Sequence, residues 1–159
     1  MDTTYETILA RVMGCRGIIS IDGRSGSGKT TLASLLAEKL ACDIIHTDDF
    51  YMPFSERLPD WMDIPAGNMD LAHLEARVKS ARCPVLVEGS YSQHPSLAGL
   101  YELKIFLTCS ADEQASRLSV REGDHFQAFR DIWIPLEEKY FAAFDIPSHA
   151  DIVYDTTVV

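Results

Sequence analysis

One eight-residue segment constrains the fold of this 159-residue chain more than any other: Gly23-Arg24-Ser25-Gly26-Ser27-Gly28-Lys29-Thr30. Its first and sixth positions are glycine, and a lysine and a hydroxyl residue close it. Glycine lets the backbone turn tightly, so that successive N–H groups point inward and surround an anion. An apolar run precedes the segment and leucines at helical spacing follow it, so the positive end of a helix would face the same anion. The segment therefore predicts a phosphate-binding loop between a strand and a helix.

The side chains of this segment indicate a nucleotide as the ligand. Lys29 supplies a mobile cation for the terminal phosphates, and the hydroxyl of Thr30 is a ligand for Mg²⁺. We therefore expect ATP and Mg²⁺ as cofactors. The loop alone does not distinguish ATP from GTP or a kinase from a motor ATPase, although the NKxD-type segment with which GTPases read the base is missing from the sequence. The predicted nucleotide-binding residues are Gly23, Arg24, Ser25, Gly26, Ser27, Gly28, Lys29, Thr30 and Thr31.

The rest of the chain alternates apolar runs with helical periods, which is typical of βαβ units and a parallel sheet. Strands are predicted at residues 17–21, 43–47, 84–87, 103–108 and 152–154. Helices are predicted at residues 4–13, 29–41, 71–81, 111–122 and 126–144, the last of them kinked or restarted at Pro135 because proline has no N–H to donate. Residues 50–69, with three prolines, are predicted to be a long loop. We expect a three-layer α/β/α fold with a five-stranded, mainly parallel sheet.

Length and composition narrow the class of protein. A chain of this length favours one domain, here residues 1–159, with an N-terminal helix within 1–14 and a lid with C-terminal helices within 110–144. The net charge of −10 argues against nucleic-acid binding, which needs clustered cations. No apolar run approaches the ~18 residues of a membrane span, no leader-like segment is visible, and the four cysteines form no CxxC pair. We expect a cytoplasmic protein that binds a small molecule and neither nucleic acid nor membrane; its oligomeric state is left open.

Carboxylates follow the second and third predicted strands. Asp48 and Asp49 come directly after one strand, and Glu88 ends the other. Because the carboxyl ends of parallel strands meet at one edge of the sheet, these groups are expected beside the phosphate-binding loop. Phosphoryl transfer to a hydroxyl needs a carboxylate that accepts the proton and others that hold Mg²⁺ or its waters. We predict Asp48 as the base, and Thr30, Glu88 and Asp48 as the metal site.

Arginines and aromatic residues complete the predicted site. Arg117 and Arg121 lie four residues apart and share one helix face, where they are expected to stabilise the charge of the transferring phosphoryl group. An ion pair of Arg117 with Glu113 is the alternative. The residues predicted to contact the acceptor include Asp49, Tyr51, Arg57 and Tyr91. For the two tyrosines, stacking on an acceptor ring and packing beneath the loop both remain open.

Three runs, GRSGSGKTT, HTDDFYMP and VEGSY, resemble the uridine kinase-like group of small-molecule P-loop kinases, which is similar to nicotinamide riboside kinases, pantothenate kinases and phosphoribulokinases. PAGNMD resembles the GN-x-D stretch of bacterial members, and WIPLEEKYF resembles their W-x-P-x-E-x-x-Y-F helix. The likeness covers residues 17–155. It implies the P-loop NTPase fold, Asp48 as the proton acceptor, Asp63 near ribose hydroxyls, and arginines on a lid.

The resemblance implies an ATP-dependent phosphotransferase whose small-molecule acceptor is uridine, cytidine or another nucleoside-like alcohol. This chain departs from such relatives in one respect. They carry a connection of some tens of residues before the third strand, whereas here the connection between residues 82 and 84 is almost nothing. The alternatives are therefore an ATP-binding protein without kinase activity, acting as a sensor or degenerate relative, and a pantothenate or nicotinamide riboside type of kinase. A nucleoside monophosphate kinase would need more arginines facing the acceptor phosphate.

Overall fold

The computed structural model describes residues 3–158 and contains the strand–loop–helix unit that the glycine-rich segment predicts. The strands are β1 (Ile18–Gly23), β2 (Asp43–His46), β3 (Val85–Glu88), β4 (Leu103–Thr108) and β5 (Ile152–Asp155). The helices are α1 (Tyr5–Met13), α2 (Lys29–Leu40), α3 (Leu71–Lys79), α4 (Pro95–Ala98), α5 (Ala111–Glu122), α6 (Phe126–Ala128), α7 (Ile134–Phe144) and α8 (Ile146–His149).

The five strands form one sheet in the order β2-β3-β1-β4-β5, and every pairing in it is parallel. Strand β1 is central: Ile19 pairs with Leu86 of β3 on one side and with Leu103 of β4 on the other. The α/β prediction is confirmed, and the sheet is more regular than the mainly parallel arrangement we expected. This order brings the carboxyl ends of β1, β2 and β3 to one edge.

Helices cover both faces of the sheet, which explains why its strands are apolar in nearly every position. On one face, Ile19, Ile21 and Ile105 pack against helices α1 and α2 through a buried cluster that includes Ile8, Val12, Leu32, Ala33 and Leu36. On the other, Val87 and Phe106 pack against α3 and α7 through a cluster that includes Leu74, Val78, Tyr140 and Phe141. The two clusters give the chain its three layers.

Two regions differ from the prediction. The segment 50–69 is not free loop: it holds 3₁₀ turns at Phe54–Glu56 and Trp61–Asp63, and Tyr51 bridges Met69 in antiparallel fashion. The expected helix at 126–144 contains a π-helical turn at Phe129–Trp133 before α7 begins, with Pro135 in the first turn of α7, where its missing N–H costs nothing. The short helices α4 and α8 were not predicted.

Within residues 3–158, no helix has the length and apolarity that crossing a membrane requires.

The first glycine of the loop is needed because β4 passes directly beside it. Gly23 has φ of 149°, and an added Cβ would lie 2.2 Å from the carbonyl oxygen of Leu107. The next residue, Arg24, donates its N–H to that same oxygen at 3.1 Å. The backbone therefore leaves β1 at a fixed place and in a fixed direction.

We expect Gly23→Ala to lower the free energy of unfolding by about 2–4 kcal/mol, since the methyl group would collide with β4 and the φ is strained for any other residue. The matched control is Gly99→Ala, where an added Cβ meets no atom within 4 Å; there we expect a change below about 1 kcal/mol. Urea denaturation followed by circular dichroism measures both. Equal stabilities of the two variants would contradict this account of the loop.

Candidate functional site

A cavity of about 770 Å³ opens at the carboxyl edge of the sheet. The phosphate-binding loop contributes Ser25, Gly26, Gly28, Lys29, Thr30 and Thr31 to its lining. The ends of β2 and β3 and the segments after them contribute Asp48, Tyr51, Arg57, Glu88 and Tyr91. The structure thus brings most of the predicted site residues to one place.

The loop has the features of an anion site. Gly28, at the start of α2, has φ of 99°, and no side chain caps the N-terminal N–H groups of this helix. The hydroxyl of Ser27 is buried and has no hydrogen-bond partner within residues 3–158. The ammonium group of Lys29 donates to the carbonyl oxygens of Gly23 and Arg24, each at 3.0 Å. Uncapped helix N–H groups and a nearby ammonium group favour a phosphate ligand.

Helix α7 holds the loop through a buried carboxylate that the sequence analysis missed. Oε1 of Glu137 accepts from the hydroxyls of Ser25 at 2.6 Å and Ser90 at 2.8 Å, and Oε2 accepts from the Ser25 N–H at 3.2 Å. The neighbouring Glu138 binds the guanidinium of Arg24 at 2.7 Å. The side chain of Arg24 therefore faces α7 rather than the cavity, and its backbone N–H donates to Leu107. Arg24 does not line the cavity, so the contact with the nucleotide that we predicted for it is not supported.

Glu88 is the carboxylate that lies beside the hydroxyl of Thr30. It is buried at the end of β3, and its Oε1 lies 3.4 Å from Thr30 Oγ1 and 2.7 Å from His46 Nδ1. An oxygen pair of this kind suits Mg²⁺, which keeps several waters and nucleotide phosphates as its other ligands. Within the described residues, no group of three or more His, Cys, Asp and Glu side chains is arranged to hold a metal ion on its own. The residues present fit a magnesium ion that arrives with the nucleotide.

The two adjacent aspartates after β2 both lie within the 3₁₀ turn Thr47–Phe50, and only one of them reaches the cavity. Asp48 lines the cavity, and Asp49 does not. Both are exposed, and within the described part of the chain neither is in an ion pair. The turn is anchored by Thr47, which is fully buried and packs so closely on Gly89 that an added Cβ there would lie 2.0 Å from Thr47 Oγ1. This packing fixes where Asp48 enters the cavity.

The two arginines of α5 occupy different places. Arg121 lines the cavity, bound to Glu122 at 2.8 Å and lying over the ring of Phe129. Arg117 lies behind the loop: its guanidinium donates to the carbonyl oxygen of Gly26 at 3.0 Å and to Thr156. It also pairs with Glu113, the alternative that the sequence left open. In this structure Arg117 supports the loop from outside the cavity, contrary to the lid position that we predicted for it.

The residues predicted to contact the acceptor also lie in different places. Tyr51, Arg57 and Tyr91 line the cavity, and Asn68 joins them. Tyr91 is buried with φ of 72°, and its ring meets that of Tyr140 edge-on at 4.9 Å. Tyr91 therefore packs against the core and also lines the cavity. Asp63 lies outside this cavity and lines a separate pocket of about 520 Å³ between the 50–69 segment and the start of α7. Its predicted contact with ribose hydroxyls is not supported by this position, because the 3₁₀ turn Trp61–Asp63 directs it elsewhere.

A second buried carboxylate, also missed, lies beneath the loop. Asp22 is fully buried and accepts hydrogen bonds from the N–H of Gly23 at 2.7 Å, the N–H of Gln93 at 3.0 Å and the hydroxyl of Tyr140 at 2.8 Å. Burial raises the pKa of Asp22 from 3.8 to about 6, although these hydrogen bonds and the charge of Lys29 act in the opposite direction. Desolvation wins because a charge removed from water loses more than neutral donors return.

Comparisons with known proteins agree with this geometry. No family model matches the chain. A cytidylate kinase of Methanothermobacter thermautotrophicus is 28% identical over 122 residues, which cover 72% of this chain and 74% of that protein. A possible uridine kinase from Bacillus stearothermophilus superposes with a TM-score of 0.67 at 17% identity, covering 95% of this chain and 97% of that one. A gluconokinase from Sinorhizobium meliloti gives 0.61 at 22% identity over 90% and 83%.

The chain has the P-loop kinase fold. The match with the possible uridine kinase extends over nearly all of both chains, so the short connection before β3 does not separate this chain from that neighbour. The resemblance seen in the sequence motifs is confirmed at the level of the fold, and the structure places the P-loop, Asp48, Glu88 and Arg121 around a common cavity.

The raised pKa of Asp22 predicts a pH dependence of folding stability. Between these pKa values the native state retains on Asp22 a proton that the unfolded chain releases. The contribution of this proton to the free energy of unfolding is fully present below about pH 4 and is lost as the pH rises through about 6. Asp22→Asn should remove this dependence, worth on the order of 3 kcal/mol. Urea denaturation from pH 4 to 7 measures it, with the exposed Asp60→Asn as control. A wild-type minus Asp22→Asn difference that stays constant over this range would contradict the assignment.

Proposed function

We propose that this chain is a phosphotransferase that transfers the terminal phosphoryl group of ATP to a hydroxyl of a small molecule, of the nucleoside-like class that includes uridine and cytidine. The observation that carries the proposal is that the P-loop and an exposed carboxylate, Asp48, line the same cavity. Phosphoryl transfer to an alcohol needs both, the loop to position the nucleotide and the carboxylate to take the proton of the attacking hydroxyl.

Each residue has a role in the proposed reaction. As the acceptor oxygen bonds to the terminal phosphorus and the bond to the leaving ADP oxygen breaks, Asp48 takes the hydroxyl proton. The loop N–H groups and Lys29 stabilise the negative charge on the transferring oxygens. Arg121 brings a further cation from the end of α5. Thr30 and Glu88 would be the protein ligands of Mg²⁺, which would neutralise phosphate charge.

The acceptor part of the cavity suits a ring that carries hydroxyls. Tyr51, Tyr91 and Trp133 offer aromatic surface, and Asn68 offers an amide that both donates and accepts. The cavity volume of about 770 Å³ is within the range of pockets that bury a molecule of drug size. These properties support a nucleoside-like alcohol, and the resemblance of the HTDDFYMP and VEGSY runs to uridine kinase-like proteins supports it independently.

A second candidate is a nucleoside monophosphate kinase, which the similarity to a cytidylate kinase favours. A monophosphate oxygen is already ionised and needs no base, but it needs cations around it. Among the described residues, the cations lining the cavity are Lys29, Arg57 and Arg121. A coupled assay of ADP release with uridine, cytidine, pantothenate, nicotinamide riboside and CMP separates the candidates, since activity with CMP alone would favour the second.

The assignment of Asp48 predicts a loss of turnover without a loss of nucleotide binding. Asp48→Asn should lower kcat by about 10²–10⁴-fold, the usual contribution of a general base, while the affinity for Mg-ATP measured by calorimetry stays within about threefold. Asp49→Asn is the matched comparison, because its carboxylate lies outside the cavity. If Asp49→Asn loses turnover and Asp48→Asn keeps it, the base has been assigned to the wrong neighbour.

Lys29→Ala should weaken Mg-ATP binding by at least about tenfold, because it removes the cation that serves the terminal phosphates. Isothermal titration with Mg-ATP measures this, and Lys39→Ala at the exposed end of α2 is the control. Binding by the wild type without turnover on any acceptor would favour an ATP-binding sensor over a kinase. Absence of binding by the wild type would refute both.

A further inference from the structure

Arg57 differs from the other cations of the cavity in its surroundings. It lies in the 50–69 segment, is half-buried and lines the cavity. Arg121 is paired with Glu122, and Lys29 is turned onto loop carbonyls. Within residues 3–158, Arg57 has no carboxylate within ion-pair distance, in a chain with a net charge of −10. A half-buried cation left without an anion in so acidic a protein calls for a partner from outside the chain.

The guanidinium of Arg57 is held in a fixed orientation. Its Nε donates to the carbonyl oxygen of Met52 at 3.0 Å. Its Cζ lies over the ring of Trp61 at 4.5 Å from the centroid and over the ring of Phe54 at 5.6 Å. The bond to Met52 uses Nε, whereas no protein acceptor within the described residues engages the two Nη groups. The two Nη groups are therefore held in one orientation and are free to donate to a ligand.

The segment that carries this arginine is a built structure. Met52 donates its N–H to Asn68 at 2.8 Å, and Arg57 donates its own N–H to Phe54 at 3.2 Å. The chain around Trp61 is so tight that a Cβ on Gly67 would lie 2.3 Å from the Trp61 carbonyl oxygen. The backbone that carries Trp61, the nearer of the two rings to Arg57, is consequently fixed relative to the cavity wall. Such pre-ordering lowers the cost of binding an anion.

We propose that Arg57 is the specificity-determining residue for the acceptor, and that the acceptor carries an anionic group, a carboxylate or a phosphate, besides the hydroxyl that is phosphorylated. This rests on the proposed phosphotransferase activity, and it replaces the neutral nucleosides named there by an acceptor that carries an anionic group. A planar guanidinium with two free Nη groups matches the paired oxygens of either anion. Because Asp48 and Arg57 line the same cavity, a single molecule presents its hydroxyl to the first and its anion to the second. Neutral uridine would leave Arg57 without a partner.

Acceptor selectivity tests the proposal. For wild type, Arg57→Gln and Arg57→Lys, kcat/KM is measured with a hydroxy acid (D-gluconate, pantothenate), a sugar phosphate (ribose 5-phosphate) and neutral alcohols (uridine, D-ribose). We expect anionic acceptors to be preferred, and Arg57→Gln to lower kcat/KM for them by about 10–100-fold, mainly through KM, without a comparable loss for neutral ones. Arg57→Lys should recover part of the loss. The control is Arg77→Gln, on the exposed side of α3.

A readout independent of turnover completes the test. In the protein saturated with Mg-ADP, the Nε–H resonance of Arg57, assigned by its absence from Arg57→Lys, is followed while inorganic phosphate, D-gluconate, ribose 5-phosphate or D-ribose is added. A shift with the anions and none with D-ribose supports the proposal, and the more effective anion identifies phosphate or carboxylate. No shift with any anion, or an equal loss of kcat/KM for charged and neutral acceptors in Arg57→Gln, overturns it. Turnover of uridine with no effect of Arg57→Gln would overturn the specificity role of Arg57 and leave the proposed kinase intact. A shift of the Arg57 resonance with the anions but no turnover of any acceptor would support anion binding at Arg57 and contradict the proposed kinase.

Discussion

The attachment of the P-loop to helix α7 is the interaction on which the rest of the site depends. Glu137 binds the backbone and hydroxyl of Ser25, Glu138 binds Arg24, and Tyr140 donates to Asp22 beneath the loop. These contacts come from one helix that is distant in sequence, and they act on the residues just before the phosphate-binding turn. A loop whose backbone is already held in place does not have to be ordered by the nucleotide, so more of the binding free energy remains for affinity. The cost is two buried carboxylates, each of which is satisfied by several donors.

The same attachment shows what the sequence was able to predict. The motif from Gly23 to Thr30 specifies its own local conformation, and the alternation of apolar runs specifies a parallel sheet, so the fold was predictable from local patterns. Parallel topology then predicted that Asp48 and Glu88 lie beside the loop, since strand ends converge whatever the side chains are. Contacts between distant segments carry no such local signal. Sequence patterns therefore miss Asp22 and Glu137, although the WIPLEEKYF run that contains Glu137 resembles a helix of bacterial uridine kinase-like proteins.

The failures have the same origin. Arg117 and Arg121 share a helix face in the sequence pattern, yet they meet different surroundings, because helix α5 passes the back of the loop with one turn and reaches the cavity with the next. Helical periodicity places two side chains on a common face but does not say what lies opposite each of them. Asp63 illustrates the converse: within an irregular segment, where no period applies, the direction of a side chain is set by turns that the sequence does not announce.

The position of Arg117 also divides the region 110–144, which we predict to contain a lid, into a fixed and a loosely packed part. Up to Leu118, α5 is tied to the loop and to Thr156 and contributes buried side chains. From residue 119 to residue 136 no side chain is buried, and this stretch contains Gly123 with φ of 55° and the π-helical turn. Segments with few buried contacts are those that open at the lowest free energy. Since Arg121 lies just inside this boundary, it belongs to the part of the lid that is cheapest to move, while the loop behind Arg117 stays in place. In the kinase that we propose, Arg121 would close over a fixed phosphate site and so exclude water after the substrates have bound.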